Sequence, residues 1–551
     1  MSLSLSFVVL ALCGWALWQL LSFVRIRIAT RHLRRIPGPQ SASFWTGNFK
    51  QFFARDGAAF QHHVARDYGP VTKLHGFFNA PILYISDPRA LHTIIIKEEN
   101  IFHEVPEFLA LNRIMFGGQS LVATMGKCAE HARQRKLLNP FFSINHMRDM
   151  LPLFYSIVHK LRGAIATRIG EETRDIDVLG WMGRAALEMI GQGGLGYSLD
   201  PLVSDNVDEY GRALKSLSPA LSAVRFYRRL LVMTQDTVPA WLRRAAVDLF
   251  PRGTGVHAVK EIIDTMDHNA HEIYNIKKAA FAKGDTEVVK QVSEGKDILS
   301  VLMRANAVAD GADRLSDEEV VSQMSILIFA AMDTTSNALS RILHKLAENP
   351  DVQDKLRQEL LEASAADGIP YDDLMRLPFL DSVCRETMRV YPPVSSLNRI
   401  ATEDAVVPLT VPIYGTDGTR MDEIAIPKGT QVMVGMLGCN TSKALWGEDA
   451  YEWKPERWLK PLPAQLTAAH VPGVYSNLMS FMGGKRACIG FKFSELEMKV
   501  VLSVLLSNFT FELPDQPIVW NVSGVWYPSA EEERVKPQLP LKVGLYKQRH
   551  V

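Results

Sequence analysis

Cysteine is scarce in this sequence and poorly placed for crosslinking. The 551 residues hold five cysteines, at 13, 128, 384, 439 and 488. The number is odd and no CxxC or other metal-clip spacing occurs, which argues against a disulfide framework and fits a reducing compartment. Net charge is equally sparse: 61 Lys and Arg face 60 Asp and Glu, a formal charge of +1, so there is no electrostatic footprint for nucleic acid. No internal repeat and no low-complexity tract is present, so the chain is not a repeat array. What remains is 47% hydrophobic and 22% charged residues, the composition of a globular chain with a large core. The length exceeds the roughly 250 to 300 residues usual for one core, so it does not by itself settle the number of domains.

Charge is missing altogether from residues 3 to 24, LSLSFVVLALCGWALWQLLSFV. As a helix this run spans about 33 Å against a hydrocarbon core of about 30 Å, which predicts a transmembrane helix. No basic residue precedes it and it exceeds the apolar region of a signal peptide, so the reading is a retained anchor. Arg25, Arg27, Arg31, Arg34 and Arg35 follow, and the positive-inside rule puts them, with everything C-terminal, in the cytosol. Sequons at Asn440, Asn508 and Asn521 then lie on the unmodified side and are read as chance. Ile36-Pro37-Gly38-Pro39 blocks helix continuation and is expected to be a short stiff hinge. The predicted organisation is an anchor over 1–24, a basic flank and Pro-rich hinge over 25–39, and one body over 40–551.

Past the hinge the pattern predicts a small hairpin between 69 and 90, ended by Asp87-Pro88 as helix cap and first turn. Helical periodicity dominates to about 390, with amphipathic stretches at 151–170, 178–192, 207–231 and 258–282. Polar, Gly-broken segments at 283–297 and 307–316 read as exposed connections. Ser316-Asp317-Glu318-Glu319 forms a capping box opening a helix that runs to Asn349-Pro350, about 48 Å if straight. Beyond 398 short strands appear, as around the Pro427-Lys428-Gly429 turn. The predicted class is mainly α with small β-sheets.

Residues 481 to 490 read Phe-Met-Gly-Gly-Lys-Arg-Ala-Cys-Ile-Gly and lead into the amphipathic helix FKFSELEMKVVLSVLLSNF. A helix start favours a thiolate through its dipole and free N–H groups, while Gly484 and Gly490 let the loop approach a flat ligand. The other four cysteines read as small buried hydrophobes. Phe481, Gly484, Arg486, Cys488 and Gly490 match the FxxGxRxCxG loop, and here the chain resembles the cytochrome P-450 family, in particular fungal (basidiomycete) microsomal members. The resemblance implies that family's fold, with heme b between a long central helix and the Cys-loop helix. Cys488 would be the thiolate ligand of the iron, which promotes cleavage of the O–O bond, and Arg486 a partner for a heme propionate.

Other segments extend the resemblance. In the long helix, Phe329-Ala330-Ala331-Met332-Asp333-Thr334-Thr335 puts an acid beside an alcohol in an apolar stretch. It resembles the family's oxygen-activation motif, with Ala331 in place of the usual glycine. Asp333 and Thr334 would deliver protons and open the helix beside the iron; a back-bond from Thr334 to the previous turn is the alternative. Glu386 and Arg389, one turn apart, with Arg457, resemble a structural ExxR set. Arg399 and the pair His131 and Arg135, with His replacing the family's Trp, resemble propionate contacts. Phe116, Ile326, Phe329, Ala330, Val394, Leu397 and Trp526 fall where the family lines its substrate pocket, and their apolar character implies an apolar small molecule, with a terpenoid as the leading class.

No flavin or nicotinamide fingerprint occurs, so the resemblance implies O2 as co-substrate and NADPH electrons from a separate cytochrome reductase, with cytochrome b5 as a second donor. Lys485, Lys492, Arg133 and Lys136 would offer that partner a basic face. The implied location is the endoplasmic reticulum membrane, single-pass, with the body facing the cytosol. Two competing readings are a heme-thiolate isomerase or dehydratase that does not use O2, and a heme-binding sensor without turnover. The Asp333–Thr334 pair argues against both.

Overall fold

The computed structural model describes residues 14, 21, 24–203, 208–224, 234, 237–282, 297–309, 311, 313–475, 477–531 and 536–547. The expected anchor at 3–24 therefore lies outside the described residues apart from Gly14, Leu21 and Val24. Among the described residues no helix is long and apolar enough to cross a membrane. Most of the polar connection at 283–297 also lies outside them.

Helices make up most of the body. Those that frame the site are α1 (Cys128–Leu138), α2 (Ile144–Ile169), α3 (Val178–Ile190), α4 (Glu209–Ala223), α5 (Val256–Ala282), α6 (Asp317–Glu348), α7 (Pro378–Val390) and α8 (Phe491–Asn508). The start of α6 is fixed by the predicted capping box: the Glu319 N–H donates to Ser316 Oγ at 3.2 Å, and the Ser316 N–H donates to Glu319 Oε2 at 2.9 Å. Asn349-Pro350 ends it, because Pro350 opens the next helix and cannot continue this one. Its 32 residues span about 48 Å. Leu339, Ile342, Leu343 and Leu346 are fully buried, and the helix packs along α3 and α8. The α2 and α8 helices also pack together, with the Phe154 and Phe493 rings edge to face at 4.9 Å.

One five-stranded sheet sits beside this helical layer. Its strands are β1 (Val71–His75), β2 (Pro81–Ile85), β3 (Phe102–Glu104), β4 (Ser396–Ala401) and β5 (Gln431–Gly435), in the order β1-β2-β5-β4-β3. The predicted hairpin is β1–β2, in register from Val71 opposite Ile85 to His75 opposite Pro81. Asp87 caps the next helix by accepting from the Ala90 N–H, with Pro88 in its first turn. Strand alternation divides the apolar residues: Val71, Leu83, Ile85, Val432 and Val434 join the main core, whereas Leu74, Ile82, Tyr84 and Met433 pack with Phe52 and Val64 on the other face. Pro427-Lys428-Gly429 links two sheets, since the strand before it pairs with Ala405–Tyr414 and β5 pairs with β2 and β4. The Pro37-Gly38-Pro39 segment lies against β1, its Pro37 carbonyl accepting from the Lys73 N–H at 2.8 Å. Packing begins ahead of it, with Leu33 and Ile36 buried in the core.

Near the C-terminal end of α6, Trp520 Nε1–H donates to His344 Nδ1 at 3.1 Å, and the Arg341 guanidinium lies 3.3 Å from the centre of the Trp520 ring. Burial, opposed by Glu348 and reinforced by Arg341 and Lys345, pushes His344 down to about 4. The imidazole is thus neutral and accepting when folded, whereas in the unfolded chain it takes up a proton near its ordinary value of 6.5. Its contribution to stability is complete above about pH 6.5 and is lost as pH falls toward 4, because the unfolded state then binds the extra proton. His344→Gln is expected to flatten the pH dependence of the urea midpoint in that window, by up to about 1.4 kcal/mol per pH unit. An unchanged slope between pH 4 and 6.5 would contradict the assignment.

Candidate active site around the cysteine loop

The loop carrying Cys488 is suspended from a buried ion-pair cluster. Glu386 and Arg389 lie on α7, fully buried, and meet in a two-point pair with both N–O distances 2.8 Å. The remaining Arg389 N–H groups donate to the carbonyls of Asn440, Ala450 and Glu452 at 2.6–3.0 Å. Glu386 also accepts from Lys454 N–H at 2.9 Å, Trp458 Nε1–H at 3.0 Å and, more distantly, Arg457 Nε at 3.4 Å. Asn440 passes this order on: its side chain accepts from Met479 N–H at 2.7 Å and donates to Ser480 Oγ at 2.8 Å, and Ser480 donates to the Met388 carbonyl on α7. Residues 478–482 form the strand that enters the cysteine loop.

Within the loop, Cys488 N–H donates to the Met482 carbonyl at 3.1 Å. Gly484 has φ +81°, and a Cβ there would lie 2.5 Å from the Ile95 carbonyl oxygen, so only glycine fits. Gly490 is the cap residue of α8 with φ −90°, and a Cβ there would meet only Phe142, in ordinary contact, so the chain's own atoms leave this side of the loop open. The Cys488 side chain is exposed at the mouth of the loop, yet the surrounding protein is dense enough that burial raises its thiol; the Gly490 N–H and the Arg135 guanidinium oppose that rise. Phe481 is buried edge-on against Tyr475 at 5.5 Å. Of the other cysteines, Cys384 and Cys439 are buried as expected, Cys128 is exposed because it opens α1 at the surface, and Cys13 lies outside the described residues.

Three arginines converge beside this loop. Arg135 donates to the Ala487 carbonyl at 2.7 Å. Arg486 and Arg399 approach the two oxygens of Glu104, at 3.1 and 3.4 Å. Sequence reasoning missed Glu104, an acid at the end of the short strand Phe102-His103-Glu104, because both arginines it meets lie far along the chain. His131, which could have been a partly exposed histidine, is only 4% exposed. Burial, together with Arg135 and Arg486, pushes it down to about 4. Its Nε2 has no hydrogen-bond partner among the described residues. One buried carboxylate against three guanidiniums leaves net positive charge, and with an orphaned imidazole nitrogen and a thiol at a helix mouth, the donor set fits a thiolate-held group bearing carboxylates, as heme does.

On α6 the helix runs unbroken past the acid–alcohol pair instead of opening there, and the Thr334 hydroxyl donates to the Ala330 carbonyl at 2.7 Å. Asp333 accepts from the Ser218 hydroxyl of α4 at 2.9 Å, a contact between distant segments that no local pattern announces. Burial raises the Asp333 carboxyl while this bond opposes the rise. Thr335 donates to Ser494 Oγ at 3.0 Å, joining α6 to α8. Of the pocket residues, Phe116 and Phe329 meet with ring centres 5.3 Å apart, and Trp526 N–H donates to the Pro393 carbonyl beside Val394. Ala330 is exposed, Val394 and Leu397 are half-buried, and Ile326 is buried. The expected basic face is largely neutralised: Arg133 pairs with Glu319, Lys136 with Asp313 and Lys485 with Glu99. The sequon side chains Asn440 and Asn521 are buried.

The family model described as Cytochrome P450 matches residues 37–525. Cytochrome P450 monooxygenase 81 of Postia placenta is 58% identical over 515 residues, covering 94% of this chain and 93% of that protein. Cytochrome P450 monooxygenase 212 of the same fungus is 54% identical, with 98% of each chain covered. The ganoderic acid synthetase CYP5150L8 of Ganoderma lucidum is 47% identical over 545 residues, again with 98% of each covered.

The buried cluster around Arg389 gives a direct test. Arg389→Ala strands the Glu386 charge in the interior and removes three carbonyl partners, at an expected cost of about 3–5 kcal/mol. Arg389→Lys keeps the charge but loses the planar fork and is expected to recover only part of this. Chemical unfolding of both variants checks the order; equal stability of Arg389→Ala and the parent would refute it.

Proposed function

The chain belongs to the cytochrome P450 family and is a cytochrome P450 monooxygenase; from that premise we propose that it inserts one oxygen atom of O2 into an apolar terpenoid, with Cys488 as the thiolate ligand of heme b. The single observation that carries the proposal is the Cys488 thiol at the mouth of α8, with Arg135 beside it and Arg399, Arg486 and His131 gathered nearby. Bound heme supplies the activation of O2 and the transfer of one oxygen atom. Arg135, Arg399 and Arg486 would hold the propionates, with Glu104 fixing the aim of the last two. The family makes heme and O2 the expected cofactor and co-substrate, and the lack of a flavin or nicotinamide fingerprint favours NADPH electrons delivered by a separate reductase.

Proton handling falls to α6. Asp333, with its carboxyl raised by burial and steadied by Ser218, can take a proton from solvent and pass it inward. Thr334 donates to Ala330, which leaves its lone pairs free to accept a hydrogen bond and would let the hydroxyl hold a proton path in place on the pocket side. This pair favours oxygen insertion over an isomerisation that needs no protons. The Phe116–Phe329 contact, the exposed Ala330 and half-buried Val394 and Leu397 suit an apolar substrate. Similarity to the ganoderic acid synthetase directs the choice toward terpenoids, including a lanostane-like triterpenoid. The uncharged run at 3–24 with its arginine flank supports single-pass anchoring in the endoplasmic reticulum, with the body in the cytosol.

Cys488→Ala is expected to abolish the reduced carbon monoxide difference band characteristic of thiolate ligation; its retention would refute the ligand assignment. Thr334→Ala is expected to keep heme and that band but to divert NADPH electrons to hydrogen peroxide, lowering product formed per NADPH about tenfold or more. Equal coupling in parent and variant would remove Thr334 from proton delivery.

A further inference from the structure

Away from the cysteine loop, the turn end of the β1–β2 hairpin, packed against the residues 27–34 that precede it, carries a second built feature. A cavity of about 240 Å³ is lined by Arg27, Thr30, Arg34, Lys73, His75, Asn79 and Pro81. Four of these residues are basic or imidazole and none is acidic. Backbone carbonyls hold two of the heads in place: Arg27 donates to the carbonyls of Phe78 and Asn79, and Lys73 to the carbonyl of Arg34 at 2.6 Å. Burial and then mutual repulsion, Arg34 acting on Arg27 and Lys73, and Lys73 and Arg27 acting on His75, all disfavour the protonated forms. Cations gathered this way, with no carboxylate in the wall, are arranged for an anion from outside.

The same turn presents aromatic surface. Phe78 and Asn79 both lie in the left-handed region, with φ +54° and +58°, which for a bulky Phe is a costly conformation. It is kept because Arg27 grips the two carbonyls and Phe78 N–H donates to Trp45 O at 3.2 Å. The result holds Phe78, Phe44 and Trp45 in mutual edge-to-face contact at 5.6–6.2 Å while they are 40%, 56% and 67% exposed. Three exposed aromatic rings beside a cationic cavity match the layering of a lipid interface, where rings sit at headgroup depth and cations meet phosphate.

We propose that this cavity binds the phosphate of an anionic phospholipid headgroup, with Phe44, Trp45 and Phe78 seated in the interfacial layer beside it. The site fixes how the body sits on the membrane and is independent of the oxygenase reading. The test uses the full heme-loaded chain in neutral detergent, titrated calorimetrically with dioctanoyl phosphatidylserine, dioctanoyl phosphatidylcholine and inorganic phosphate. Phosphatidylserine is expected to saturate one site at least tenfold more tightly than either comparator. The Arg34→Gln/Lys73→Gln double variant is expected to weaken it by about 25-fold, about fivefold per cation, and Lys73→Arg to preserve it. Phe78→Ser is expected to weaken the lipid alone. The carbon monoxide difference band of each variant reports that it is folded. Equal affinity for phosphatidylcholine, no effect of the double variant, or phosphate binding as tightly as the lipid would each overturn the proposal.

Discussion

The Glu386–Arg389 pair is the constraint from which the site is built. Two charges fully removed from water are tolerated because every direction is answered: the carboxylate faces two guanidinium nitrogens, a backbone N–H, an indole N–H and Arg457, and the guanidinium faces three carbonyls. Those carbonyls belong to residues 440–452, and Asn440 in turn grips the strand at 478–482. Helix α7, the segment after β5 and the cysteine loop are thereby fixed to one another. The position of Cys488 relative to α6 then depends on α8, tied to α6 by the Thr335–Ser494 bond and to α7 by the buried Lys499–Asp381 pair.

The electrostatics of the site follow from an imbalance. Glu104 answers part of the charge of Arg399 and Arg486, and none of the described acids pairs directly with Arg135, which donates to the Ala487 carbonyl. The surplus lies where a dianionic group would be welcomed. On α6, Asp333 accepts from a hydroxyl instead of a cation, which leaves it a weaker acid than an ion-paired carboxylate. One part of the site thus gathers positive charge, while at Asp333 burial disfavours negative charge.

Local features of this arrangement were legible in the sequence. The capping box, Asn349-Pro350 and apolar periodicity define α6, and the Asp87-Pro88 cap and alternating residues define the hairpin. The loop around Cys488 was legible because its glycines and arginine lie within ten residues. Contacts made across the chain were not. Ser218 meets Asp333 over 115 positions, and Glu104 meets Arg486 from another layer; neither spacing leaves a periodic trace. The acids that pair with the surface lysines likewise come from remote segments and leave no local trace.

The central sheet carries a consequence for biogenesis. Its β2 strand is bordered by β5, with Ile82 opposite Gln431, so the hairpin emerges from the ribosome long before the neighbour that covers its open side. At roughly 5–20 residues per second the delay is on the order of tens of seconds. During that interval an apolar strand edge is available to any other nascent segment. The burden of that exposure falls on the growing chain and not on the finished one, since in the folded sheet β2 lies between β1 and β5.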